Sequence, residues 1–223
     1  HVAAVIEMGM NHAGELARLT AIAEPDAGLI TVIQPAHLEG LGTLEGVAEA
    51  KGELFAGLKA GATAVVNLDD PRVVAQANRA GPAVKRLTFG RAPEATVRLA
   101  RVEPHGRSGL AIDVVSEGKS WPIALNLIGD HNAGNATAAF AMALALGFTP
   151  NECVRGLEAA QAHARRLQVV EAPGPVTVID DCYNANPASM AAALEALGGL
   201  AVESRAIAVL GDMLELGADE AAR

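Results

Sequence analysis

The sequence predicts an α/β fold: a mostly parallel sheet with flanking helices, an inserted antiparallel meander, and a second unit that begins with its own strand. Three observations carry this. Apolar, β-branched runs alternate with stretches of helical periodicity from residue 2 to residue 89, the pattern of strands joined by crossover helices. Over residues 95–127 the runs shorten and Gly or Pro turns separate them, which suits antiparallel pairing. Residues 176–197, VTVIDDCYNANPASMAAALEAL, read as strand, loop and helix, with Asn186 suited to cap the helix and Pro187 to begin it.

Residues 2–6 form the first strand candidate, closed by Glu7. Residues 14–23 place Leu16, Leu19 and Ile22 at helical spacing before Glu24-Pro25-Asp26 breaks the run. Residues 28–33 are a second buried strand, and residues 40–42 a glycine loop. Thr43 caps a helix that carries Lys51 and runs to about Lys59; Gly46 stands where a capping box would need Glu or Gln. Residues 64–66 are a third strand, 71–78 a helix and 84–89 a fourth strand. The meander comprises residues 96–102, 110–115 and 122–127. An Ala-rich helix opens at residues 128–135 and runs to Leu146, where Gly147 ends it. Thr149-Pro150-Asn151-Glu152 carries a capping box for another helix, to about Ala162. Residues 167–171, 176–179 and 206–210 are strands of the second unit, and Gly211-Asp212 follows the last. The boundary falls near residues 163–166, giving units 1–164 and 165–223.

Composition narrows the function. The net charge of −9 argues against a nucleic-acid footprint and a basic membrane-surface patch. Two cysteines, Cys153 and Cys182, lie far apart without a C-x-x-C, which points to a reducing compartment and no metal cluster. No apolar run reaches membrane-spanning length and no signal-peptide pattern opens the chain. The chain begins inside a strand-like run and ends in a charged, helix-forming stretch, so it reads as a piece of a longer protein.

Glu7, His37 and Asn67 each lie at or just past the carboxyl end of a predicted parallel strand, the rim where open α/β sheets bind ligands. Glu7 suits a hard cation such as Mg2+ or is a solvated strand-end carboxylate. His37 suits a ligand or general base, or a structural histidine. Lys51 reads as a solvated helix lysine. Asn132 and Asn135 project from one helix face; their carboxamides suit a purine edge, or a cap. Arg166 suits a phosphate clamp or a surface ion pair. Asp180, Asp181, Asn184 and Asn186 crowd one βα loop. There is no G-x-x-x-x-G-K-[ST] and no G-x-G-x-x-G in the 223 residues.

Further segments line up in order: Ala36-His37-Leu38-Glu39-Gly40, Glu49-Ala50-Lys51-Gly52-Glu53, Asn67-x-Asp69, Gly129-x-His131-Asn132-x-x-Asn135-Ala136, Arg166-Leu167, Asp180-Asp181-x-Tyr183-Asn184-Ala185-Asn186-Pro187 and Gly211-Asp212-Met213-x-Glu215-Leu216-Gly217. Together these resemble the Mur ligase family, and the last two resemble its branch that joins D-alanyl-D-alanine to a UDP-N-acetylmuramoyl tripeptide. The resemblance implies a central ATP-binding domain, truncated at its start, over residues 1–164. Residues 165–223 would be the first part of a Rossmann-like C-terminal domain. The UDP-binding domain and the P-loop would be missing, and these residues alone inactive. It implies ATP-dependent amide formation through an acyl phosphate in peptidoglycan precursor synthesis, by a cytoplasmic monomer that neither binds nucleic acid nor enters a membrane. Glu7, His37 and a carbamylated Lys51 would hold Mg2+, with Lys51 and His37 catalytic. Asn67, His131, Asn132, Asn135, Arg166 and Asp181 would bind ATP; Tyr183, Asn184 and Asn186 would shape the substrate side. Asp130 stands where the family often has a basic residue, Arg165 where it has Gly, and Cys182 where it has a small hydroxyl residue; Val32 and Gln34 also depart from its pattern. Another ligase of this superfamily, folylpolyglutamate synthase included, and a non-catalytic nucleotide-binding module are the alternatives.

Overall fold

The computed structural model describes residues 3–35, 38–174, 176–201 and 204–213. Strands β1 (Ala27–Ile30), β2 (Thr63–Asn67), β3 (Lys85–Gly90), β4 (Val97–Pro104), β5 (Leu110–Ser116) and β6 (Lys119–Leu125) form one six-stranded sheet in chain order. β1, β2 and β3 are parallel, and Phe89 and Gly90 pair in parallel with Val97 and Arg98 at the start of β4. β4, β5 and β6 then run antiparallel. The meander therefore extends the parallel sheet instead of lying beside it.

Helices α1 (Glu15–Ala23), α2 (Leu38–Leu41), α3 (Leu44–Ala56), α4 (Pro71–Ala77), α5 (Asp130–Ala145) and α6 (Pro150–Glu158) accompany this sheet. Two cores result, one on each face. Ala64 and Val66 of β2 pack with Val47, Phe55 and Val73 of α3 and α4. Val65, between them in the chain, faces Phe89, Ile112, Ile123 and Phe140 of α5. This alternation buries β2 on both sides, as a parallel strand covered by helices requires. α5 lies against the sheet through Ala133, Ala136, Ala138, Ala141 and Phe140. Its buried Thr137 hydroxyl donates to Ala133 O (2.8 Å), so no polar atom there is left unpaired.

Caps lie where short-range chemistry places them. Thr43 accepts from Gly46 N, and α6 has the full Thr149–Glu152 box. Asp70 caps α4 through the N–H groups of Arg72 and Val73.

Beyond the sheet, β7 (Gln168–Glu171) and β8 (Thr177–Asp180) form an antiparallel pair followed by α7 (Pro187–Leu200). Asn186 caps α7 reciprocally with Ser189. β8 has the β-branched composition of a buried strand, yet Val178 is 41% exposed and no residue of α7 is buried. Two strands and one helix are too few to enclose a core. Two predicted strands are not strands. Residues 3–6 and 206–210 pair with nothing among the described residues, and Val5 and Val209 are each 93% exposed. An apolar run supplies no partner for its own backbone, and without one it is no strand. The predicted loop at residues 40–42 begins inside α2, and α3 and α6 end three or more residues early, at Ala56 and Glu158.

Candidate active site

The first half of the site lies past the carboxyl ends of β1 and β2. After Ile30 the chain leaves the sheet, and three side chains from other elements hold residues 31–33. Asn67 Nδ2, at the end of β2, donates to Thr31 O (2.7 Å). Lys51 Nζ, from α3, donates to Val32 O (2.7 Å). Ile33 N donates to Asp70 Oδ2 (2.7 Å), while the other Asp70 oxygen accepts from Arg72 N and Val73 N. Lys51 is half-buried, and burial lowers its pKa from the usual 10.5, against the smaller opposing pull of Asp70. It is not the solvated helix lysine its spacing suggests.

The second half is built from the first turn of α5 and the loop after β8. A hydrogen-bonded path joins the halves. Asn67 Oδ1 accepts from Asp69 N (2.9 Å). The Asp69 carboxylate accepts from Arg91 N (2.7 Å) and Ala92 N (3.1 Å). Arg91 Nη2 in turn donates to Asp130 Oδ2 (2.7 Å), in the first turn of α5. The acidic departure at Asp130 thus has a local cation in Arg91. Asn132 Nδ2 donates to Ile128 O (2.8 Å) and Asn135 Nδ2 to Asn132 Oδ1 (3.2 Å), so both carboxamides sit on one helix face.

Gly129, with φ of 88°, opens α5; a Cβ there would lie 2.7 Å from His131 Cε1 and 3.2 Å from Leu167 Cδ1. Both the backbone and the crowding call for glycine. Asp181 Oδ1 accepts from Leu167 N (2.9 Å), and the Arg166 guanidinium lies over the Tyr183 ring at 4.3 Å. His131, Arg166, Asp181 and Tyr183 are thus brought together. Asn184 turns back on itself, accepting from Ala185 N, and Asn186 is occupied as a cap.

Glu7 has no side-chain hydrogen bond among the described residues, and His37 lies outside the described residues. Among the described residues no group of three His, Cys, Asp or Glu gathers as a metal site. Asp70 and Arg91 were missed by sequence reading. Their partners lie 37 and 39 residues away, beyond any local pattern.

Burial lowers the His131 pKa from 6.5, although Asp181, Asp130 and Glu195 favour its charged form. The unfolded chain therefore binds more protons here than the folded one between the lowered value and 6.5. The stability this contributes is complete above 6.5 and is lost as pH falls through that window. Because the ring keeps solvent contact, the slope is shallow. Urea unfolding from about pH 7 to about pH 5 should lose this part of its pH dependence in His131→Gln.

Comparison with known proteins now gives the class. Residues 1–143 match the Mur ligase middle domain, and residues 165–223 the Mur ligase glutamate ligase domain. The chain belongs to the Mur ligase family. It is 35% identical over 224 aligned residues to UDP-N-acetylmuramoyl-tripeptide--D-alanyl-D-alanine ligase of Escherichia coli K12, covering 98% of this chain and 48% of that protein. A crystal structure of MurF from Acinetobacter baumannii superposes with a TM-score of 0.86 at 32% identity, over 97% of this chain and 46% of the other. MurF from Thermotoga maritima in complex with ADP gives 0.82 at 27% identity, over 96% and 48%. The chain spans about half the length of the curated relatives it matches.

Proposed function

We propose that the protein bearing this chain joins D-alanyl-D-alanine to a UDP-N-acetylmuramoyl tripeptide, the ligation for which its relatives are named, and uses ATP to do so. The placement of Lys51 carries the reading: a half-buried amine at the carboxyl rim of a parallel sheet, with a pKa lowered by burial. A neutral amine attacks CO2, loses a proton and becomes a carbamate, turning a cation into an anion with two oxygens. Residues 1–164 are assigned to the central domain and 165–223 to the C-terminal one.

The tripeptide's terminal carboxylate takes the γ-phosphoryl group, giving an acyl phosphate and ADP. The dipeptide amine attacks the acyl carbon, and phosphate leaves. Positioning and charge neutralisation dominate such a transfer. Asn132 and Asn135 offer donors and acceptors to the adenine edge, and Asn67 and His131 are further nucleotide contacts. Arg166 meets the phosphates and Asp181 the ribose side, while Tyr183, Asn184 and Asn186 border the acceptor's side. A hard cation wants oxygen donors. Glu7 and carbamylated Lys51 supply them and His37 completes the set, so these residues would hold Mg2+, which neutralises phosphate charge. ATP as phosphoryl donor puts the reaction in the cytoplasm, and we assign it to a monomer.

The test is γ-phosphate release by the full-length protein. Release should require both the UDP-muramoyl tripeptide and D-alanyl-D-alanine. Release with ATP alone, or none with intact substrates, rejects the assignment.

A further inference from the structure

Arg166 sits on an unusual piece of backbone. Its neighbours Arg165 (φ 64°) and Leu167 (φ 45°) are both in the left-handed region without being glycine. Each such residue is unfavourable and persists only where its surroundings hold it. Here both strands of the loop pair are tied. Tyr183 N donates to Arg165 O (3.2 Å), and Leu167 N donates to Asp181 Oδ1 (2.9 Å). Leu167 itself is buried, 5% exposed, beside Gly129 at the start of α5. The strained turn therefore presents Arg166 between the first turn of α5 and the loop after β8.

The side chain is held in a particular way. Its guanidinium carbon lies over the Tyr183 ring, 4.3 Å from the centroid. Its N–H groups make no hydrogen bond or ion pair among the described residues. A guanidinium has two separable surfaces: a face that stacks on aromatics, and an edge of N–H donors that fits phosphate bidentately. Stacking the face fixes the plane and leaves the edge available.

We propose that Tyr183 is a positioning residue for nucleotide phosphate: by stacking on the face of Arg166 it holds the guanidinium edge toward a phosphate bound near the start of α5. This rests on the nucleotide reading of the site and gives Tyr183 a role through Arg166 in addition to its place on the acceptor's side. The ring does the work, so the phenol oxygen is dispensable. Lysine at 166 has no planar face to stack.

The experiment measures equilibrium ADP and adenosine binding by calorimetry on the full-length protein and its variants. Tyr183→Leu should weaken ADP binding by about 2- to 5-fold, the worth of an exposed cation–π contact, and leave adenosine binding unchanged. Tyr183→Phe keeps the ring and should bind ADP like the unmutated protein. On an Arg166→Ala background, Tyr183→Leu should add nothing further. Wild-type ADP affinity in Tyr183→Leu, equal weakening of adenosine, or additivity with Arg166→Ala would each overturn the proposal. A protein that binds ADP with this pattern but ligates nothing would sink the ligase assignment and leave the role of Tyr183 standing. A protein that binds no ADP would remove both.

Discussion

Lys51→Ala should leave a folded protein with ligation reduced by about 100- to 1,000-fold, the usual effect of removing one preorganised electrostatic group. The fold should survive because the change deletes a single hydrogen bond to Val32 O and a charge that burial already disfavours. Lys51→Arg should be as inactive as the alanine variant, since a guanidinium stays charged at every working pH and cannot form a carbamate. The pH dependence has a definite sign. Only the neutral amine reacts with CO2, and the lowered pKa enlarges its share at any pH below 10.5. Activity should therefore rise with pH on the alkaline side of neutrality, and should fall in CO2-depleted buffer and return with bicarbonate. Steady-state rates of γ-phosphate release in degassed and bicarbonate-supplemented buffer decide it. Full activity in Lys51→Ala would remove Lys51 from the mechanism.

Asp70→Ala should be the most destabilising change at the rim, costing about 2–4 kcal/mol. The side chain is 8% exposed and accepts from three backbone N–H groups: Arg72 and Val73 in α4, and Ile33 beyond β1. Alanine leaves all three without that acceptor. Asp70→Asn separates the two duties. Asparagine caps helices well, but its amide NH2 cannot accept from Ile33 N. Stability should then fall by less than in the alanine variant, while ligation falls further than stability explains, because the segment carrying Val32 O is released. Urea unfolding midpoints and rates measured side by side test this. Equal loss of stability in both variants would mean the contact to Ile33 carries none of the effect.

How much of this was legible beforehand depends on distance along the chain. Thr149-Pro150-x-Glu152, Asn186-Pro187 and Gly147 announce helix ends because a cap and its partner lie within four residues. The parallel core was readable because β2 carries three consecutive apolar residues, Ala64, Val65 and Val66, all buried. The Asn132–Asn135 pair was readable because helical spacing places both on one face. What could not be read was set by pairings across the fold. Asp70 was missed altogether: one of its oxygens answers a strand exit 37 residues earlier. Asp130 looked like a mismatch until Arg91, 39 residues away, was found beside it. Residues 3–6 and 206–210 have strand composition, yet a strand also requires a neighbour to bond. The resemblance to Mur ligases grouped the site residues across such gaps, which periodicity cannot do.

α5 has one further consequence, for heredity. Its first turn belongs to the candidate site, and its body lies against the sheet through alanines that leave no room for growth: Ala133 and Ala141 are fully buried. A larger residue at either position would push the helix off the sheet and carry Asn132 and Asn135 with it. Genetic screens for loss of function should therefore recover conditional alleles, defective only when warm, from these plain alanines, alongside the null alleles expected at Lys51. Drift along this helix is confined from both directions, because a change tolerated by packing can still misplace the end that meets the ligand.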